Sequence, residues 1–132
     1  MKLCLSIATC VLLIPASVFA GELAYTCEVT HVYNLEDDSS LKSTNAWEKH
    51  FVGSKFSVSR LTGEIIGEVV TTVAAASTKV INKGNEDYYF TSIAYFGDKA
   101  QLIEVKEFKK GEKKPFVAMS LGGAGIVTGV CK

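Results

Sequence analysis

The 132-residue chain is 48% hydrophobic, and its 14 basic residues are matched by 14 acidic residues. This near-neutral balance argues against nucleic acid as a partner, because phosphate binding normally requires a strong positive excess. The length is that of one domain with its own core.

Residues 1–20 have the pattern of a cleaved signal peptide. Lys2 precedes an apolar run at 3–14, and the segment ends at Ala20, a small residue that a signal peptidase accepts. The run is shorter than the roughly 20 apolar residues that a membrane span needs. A lipoprotein signal that uses Cys10 is the alternative, and it fits poorly because this cysteine lies inside the apolar run.

Cleavage after Ala20 would leave a single β domain at residues 21–132, with 13 basic and 14 acidic residues because Lys2 is lost. No later segment has the length and apolarity of a membrane span. We therefore expect a periplasmic or secreted protein that has no transmembrane segment once the signal is removed.

The mature chain begins with a strand that has one buried face. Apolar or sulfur-bearing side chains occupy the odd positions at 23–29, and polar residues alternate with them from Thr26 onward. This period of two is typical of a half-buried strand. Cys27 is therefore expected to point inward together with Tyr25 and Val29.

Cys27 and Cys131 are predicted to form a disulfide. The chain has four cysteines, and the other two leave with the signal peptide. A lone pair of cysteines in an oxidising compartment is expected to be bridged. A bridge that closes a loop of about 100 residues contributes roughly 4.7 kcal/mol in the chain-entropy model, a large share of a total stability of about 5–15 kcal/mol.

Short elements follow along the rest of the chain. A polar loop at 34–44 leads into a short helical turn at 46–50, which would pack through Trp47 and Phe51. The β-branched run at 64–72 contains Gly67, which indicates a bulge or a close backbone contact. Turns such as Thr62-Gly63 separate further strands, predicted at 55–60, 78–82, 88–96, 101–108, 116–121 and 126–131.

The pattern predicts an all-β fold, a small antiparallel β-barrel or sandwich of about 7–8 strands with the first and last strands joined by the disulfide. In a meander, pairing the first strand with the last removes both free edges of the sheet, so the cysteine pair favours a barrel. A bridge that crosses between two stacked sheets would indicate a sandwich instead.

A lysine cluster is the first candidate for a binding surface. It surrounds a charged turn and comprises Lys106, Lys109, Lys110, Lys113 and Lys114. A solvated hairpin tip is the ordinary interpretation. The alternative is a contact with anionic envelope material or with an acidic protein.

Three aromatic residues are the second candidate. The run at 88–96 is mostly core, but a sheet with one wet face would leave some of Trp47, Tyr89 and Tyr95 exposed. Exposed aromatic side chains are the kind that binding surfaces use.

The sequence predicts no catalytic residue, no metal site and no cofactor. His31 and His50 could join the two cysteines in a zinc site, but zinc-site cysteines usually come in closely spaced pairs, so the disulfide is favoured. The glycines at 123, 125 and 129 resemble a phosphate-binding pattern, which would have to open a helix. They instead indicate a tight turn or close packing of the last strand.

Tyr25-Thr26-Cys27, the terminal Val130-Cys131 and the scale of a barrel of about eight strands resemble the periplasmic lysozyme inhibitors of the membrane-bound or C-type-specific kind. The chain is similar in the same way to many short, exported, one-disulfide β proteins of Gram-negative bacteria. The inhibitor family inserts a Ser-Gly-x-x-Tyr loop into the lysozyme cleft. That motif does not occur in this chain, so the resemblance assigns no site residues.

These features together favour a non-catalytic binding module of the periplasm or cell surface, such as an inhibitor, an immunity-type protein or an envelope accessory. Its expected partner is an envelope protein or a glycan. The alternative is a small-ligand carrier, because a barrel of about eight strands can hold one small ligand. A small periplasmic enzyme is the third interpretation.

Overall fold

A computed structural model describes residues 23–43, 45–121 and 125–132, so the predicted signal peptide and Gly123 lie outside the described part. Within that part, one short helix and nine strands are present, and the strands form a single sheet. The elements are β1 (Ala24–Leu35), β2 (Leu41–Lys42), α1 (Asn45–Phe51), β3 (Lys55–Ser59), β4 (Ile65–Gly67), β5 (Ser77–Lys83), β6 (Phe90–Phe96), β7 (Lys99–Val105), β8 (Lys114–Leu121) and β9 (Gly125–Cys131).

All pairs of neighbouring strands are antiparallel, and the order across the sheet is β4-β3-β1-β9-β8-β7-β6-β5, with β2 attached to β1. The sheet curls into a half-barrel. The all-β prediction is confirmed, and of its two forms the barrel-like one is present. The strand number exceeds the prediction because β2, with two residues, is too short to produce an alternating pattern and lies in the stretch predicted as a polar loop.

The predicted disulfide is confirmed. β1 pairs with β9, Cys27 lies directly opposite Cys131, and their sulfur atoms are bonded. The expectation that this pairing removes the free edges of the sheet is wrong, because the other edge of β1 pairs with β3. β1 and β9 therefore lie in the middle of the sheet, and the sheet ends at β4 and β5.

The turn after β3 closes part of the gap between the two ends of the sheet. Gly63 has a φ of +77° there, as predicted for this turn, and a Cβ on it would lie 2.8 Å from the Cβ of Ser92. The Ser92 hydroxyl donates to the Gly63 carbonyl at 3.4 Å, and the Thr78 hydroxyl donates to the Thr62 carbonyl at 2.9 Å. Side-chain hydrogen bonds to this turn thus connect β3 to β5 and β6.

The β-branched run at 64–72 is a strand only as far as Gly67. A Cβ on Gly67 would lie 2.5 Å from the Phe56 Cβ and 2.6 Å from the Val70 carbonyl oxygen, which confirms the predicted close contact. The chain turns back here, and the Thr72 amide donates to the Ile65 carbonyl at 2.8 Å. The second half of the run therefore folds over β4 instead of extending it.

Side-chain size along the inner face of the sheet decides which end of the half-barrel is filled. One inner row crosses five strands and carries two phenylalanine rings, at Phe90, Val105, Phe116, Gly129 and Val29. The next row has smaller side chains over three neighbouring strands, at Ala118, Val127 and Val32. The larger side chains of the first row fill their end of the half-barrel, whereas the smaller side chains of the second row leave a cavity beside them.

A β-bulge between Val29 and His31 shifts the phase of β1. Val29 is buried, but the next buried residue is Val32, and His31 is exposed. The odd-numbered pattern that would have placed His31 beside Cys27 therefore ends at the bulge. The imidazole instead stacks on the Tyr33 ring on the outer face, with 6.2 Å between the ring centroids.

The filled end is closed by a tyrosine, a carboxylate and an arginine. The Tyr25 hydroxyl donates to Glu107 Oε2 at 2.7 Å, and Arg60 lies 3.6 Å from the other carboxylate oxygen. Burial, followed by the hydrogen bond to Glu107, raises the pKa of Tyr25 well above its ordinary value.

Among the described residues, no helix has the length and apolarity to span a membrane.

The raised Tyr25 pKa predicts a loss of stability at high pH. Below the ordinary tyrosine value of about 10, both states hold the phenolic proton; above it the unfolded chain releases the proton while the folded state keeps it, so the free energy of unfolding falls. Tyr25→Phe should flatten this decline, measured as urea midpoints between about pH 8 and pH 11. Tyr95→Phe, at an exposed tyrosine, serves as the control, and identical slopes for the wild type and Tyr25→Phe would contradict the prediction.

Candidate functional site

An open cavity of about 590 Å³ occupies the unfilled end of the half-barrel. Its floor consists of four side chains that are at most 8% exposed, Val32, Val70, Ala118 and Val127. Its walls include Phe51 and Leu35, and Trp47 lies at the mouth. The volume falls in the range of about 300–1,000 Å³ that is usual for small-molecule sites.

The alternation of the strands explains why the cavity is apolar below and polar above. The inner residues one step closer to the open end than the floor are Asn34, Gln101 and Ser120, and Gln101 lies directly opposite Ser120. Residues two positions apart on a strand face the same side and are about 7 Å apart. The two amides and the hydroxyl therefore form a polar ring above the floor of valine and alanine.

Helix α1 holds an aromatic pair against the mouth. The rings of Trp47 and Phe51 are 5.3 Å apart, and Phe51 packs on the core, as the sequence predicted for these two residues. The Ser43 hydroxyl donates to the Glu48 carboxylate at 2.7 Å near the start of the helix. At its end, the Gly53 amide donates to the Val29 carbonyl at 2.8 Å, which ties the helix to β1.

A second apolar feature lies on the outer face of the sheet. The register aligns one partly exposed apolar residue from each of five neighbouring strands, and these outer-row residues are Ile93, Leu102, Met119, Ile126 and Tyr33. The solvent face of an antiparallel sheet is usually polar, and contiguous exposed apolar patches mark interaction surfaces. The outer row is therefore an alternative contact surface.

All three aromatic candidates are exposed, although the sequence predicted exposure for only some of them, and they do not form one site. Trp47 is 45%, Tyr95 44% and Tyr89 36% exposed. Trp47 lies at the cavity, and Tyr95 lies on the outer face near the same end of the sheet. Tyr89 precedes β6 at the opposite end, where its ring packs 4.9 Å from that of Phe108.

The lysine cluster also lies at the filled end, in the β7–β8 loop. Lys114 folds back, and its ammonium group donates to the carbonyls of Glu107, at 3.0 Å, and Lys109. Lys106, Lys109, Lys110 and Lys113 are exposed. Lys114 thus organises the loop, while the other four present charge at the end of the molecule opposite the cavity.

The acidic loop at 36–38 has a structural role through one of its carboxylates. Asp38 Oδ1 accepts from the Ser40 hydroxyl at 2.5 Å and from the Ser40 amide at 3.0 Å, and these bonds, the hydroxyl first, lower the pKa of Asp38. The turn leads into β2.

In the described part of the chain, no three His, Cys, Asp or Glu side chains are grouped as metal ligands would be.

Sequence reasoning missed the floor of the cavity and the outer row. Val32, Ala118 and Val127 are small apolar residues of the kind found in any core, and nothing in their spacing separates them from filled-core positions. The sequence feature that could have located the cavity was Trp47, which lies on a short helix between two strands and was predicted to be near the surface.

Comparisons with known protein families, curated proteins and solved structures found no match to this chain.

Proposed function

We propose that this protein is a non-catalytic binding module of the periplasm or cell surface and that it binds through the cavity at the open end of the half-barrel. The disulfide supports this location, because such bridges persist in oxidising compartments. The partner class is an envelope protein or a glycan, as expected for an inhibitor, an immunity-type protein or an envelope accessory.

The cavity is the observation that carries this proposal. Four buried side chains form its floor, at the end of the inner face where the side chains are small. Protein interiors rarely leave space of this size empty, and a concave apolar surface with a few convergent polar groups is the usual form of a binding site. An apolar group of a partner, inserted past Trp47, would bury the exposed wall.

A capture experiment with matched variants tests the proposal. Ala118→Leu places a larger side chain in the cavity, whereas Val117→Leu makes the same kind of change on the opposite face of the same strand. The exported protein is used to capture partners from envelope extract. We expect the wild type and Val117→Leu to retain a partner that Ala118→Leu loses.

Other outcomes are equally decisive. Loss of the partner with Leu102→Ser alone would assign binding to the outer row and overturn the cavity as the site. Failure of the wild type to retain any protein or glycan would contradict the macromolecular partner. Circular dichroism and melting curves confirm that each variant is folded before capture.

A small-ligand carrier is the second candidate, and the volume and apolar floor of the cavity favour it. Native mass spectrometry of the exported wild type and Ala118→Leu proteins separates it from the first. A bound small molecule that is present in the wild type and absent from Ala118→Leu supports the carrier, and unliganded mass alone in the wild type contradicts it.

A further inference from the structure

We propose that the cavity takes the alkyl chain of a neutral, single-chain amphiphile, with the uncharged polar head at the mouth. This inference rests on the proposal that the cavity is the binding site. It assigns a chemical class to the ligand through three properties of the cavity: the apolar floor, the uncharged polar ring and the apolar side chains at the mouth.

The floor suits a saturated hydrocarbon. Val32, Val70, Ala118 and Val127 contribute only methyl and methine groups. A flexible alkyl chain adapts to such a surface without needing a hydrogen-bond partner, and its transfer from water is favourable in proportion to the apolar area that it buries. A sugar ring or a peptide backbone that lay on the floor itself would leave polar groups unpaired, which costs free energy, so a protein or glycan partner would also have to insert an apolar group there.

The polar ring suits an uncharged head. The polar side chains among the described lining residues are the amides of Asn34 and Gln101 and the hydroxyl of Ser120, which can both donate and accept hydrogen bonds. An alcohol or an amide head can pair with them. A carboxylate or an ammonium head that left water there would need an opposite charge to compensate it.

Apolar side chains also reach the solvent beside the polar ring. Leu35 and Trp47 line the cavity and are 55% and 45% exposed, so apolar surface is present at the mouth as well as on the buried floor. A ligand that is apolar along its length and polar at one end matches this arrangement. A compact polar ligand would match only the ring.

Trp47 provides the signal for a direct test, because it is the only tryptophan of the chain and lines the cavity. The exported protein is titrated with hexanol, octanol and decanol while the Trp47 emission is recorded. We expect a saturable shift to shorter wavelength and an affinity that rises about fourfold per methylene. Ala118→Leu should weaken decanol binding by at least about tenfold, and Val117→Leu should leave it unchanged.

Matched charged probes test the head group. Decanoate and decylammonium share the alkyl chain of decanol, and we expect each to bind at least about tenfold more weakly. Equal affinity for decanol and either charged probe would overturn the neutral head. A Trp47 response that does not saturate, or that is the same in the wild type and Ala118→Leu, would overturn the alkyl site.

A second variant keeps the test informative if Ala118→Leu does not fold. Val127→Phe fills the same floor from β9, so it should reduce decanol binding even if Ala118→Leu fails to fold.

Failure of the amphiphile inference can be distinguished from failure of the binding-module proposal. If decanol does not bind while Ala118→Leu still loses a captured macromolecular partner, the amphiphile inference is wrong and the binding module stands.

Discussion

Reduction of the Cys27–Cys131 bridge is expected to lower the melting temperature of the protein by on the order of 15 °C. The bridge spans 104 residues, and closing a loop of that length removes roughly 4.7 kcal/mol of chain entropy from the unfolded state, a figure that native-state strain often reduces. A loss of about 4 kcal/mol corresponds to a shift of this size in a domain of this length.

Melting curves of the oxidised and reduced wild type measure the effect of the cross-link, because both forms keep the sulfur atoms in the core. Cys27→Ala/Cys131→Ala then shows the additional cost of removing those atoms, since both cysteines are at most 1% exposed. Equal melting temperatures for the oxidised and reduced wild type would show that the bridge does not stabilise this fold.

Gly129→Ala is expected to lower the free energy of unfolding by about 3 kcal/mol or more. A Cβ at this position would lie 2.0 Å from the Glu28 carbonyl oxygen and 2.7 Å from the Phe116 ring. The first atom belongs to the backbone of β1, so relief requires β1 and β9 to move apart at the centre of the sheet.

Gly125→Ala is the matched control, because it lies on the same strand and nothing is within 4 Å of its Cβ position. We expect it to change the free energy of unfolding by no more than about 0.5 kcal/mol. Urea midpoints followed by circular dichroism compare the two variants. If both variants unfold at the wild-type midpoint, the close approach of β9 to β1 is not a constraint.

The elements that sequence reasoning predicted well depend on local properties. The alternation that leads to Cys27, the turn at Gly63 and the close contact at Gly67 each follow from a few neighbouring residues. Period, turn chemistry and the absence of a Cβ act over short distances along the chain. For the same reason the alternation could not be followed past Val29, where a bulge changes which face each residue occupies.

The candidate site was predictable only at Trp47. The lysines and Tyr89 were chosen for charge and for aromatic character, and both lie at the end opposite the cavity. Neither charge nor aromatic character distinguishes Ala118 and Val127 in the sequence. Their importance comes from lying directly opposite each other on β8 and β9, where both line the cavity, and this position depends on register.

Periodicity and cysteine number were enough to predict an all-β chain, the positions of most strands and a disulfide between the first and last strands, because these signals are local or compositional. Only the folded chain shows that these two strands lie at the centre of the sheet, that β4 and β5 end it, and that the described residues leave one end of the half-barrel open. Those features depend on which strands pair and in which register, and pairing is set by hydrogen bonds and packing between residues distant in the chain.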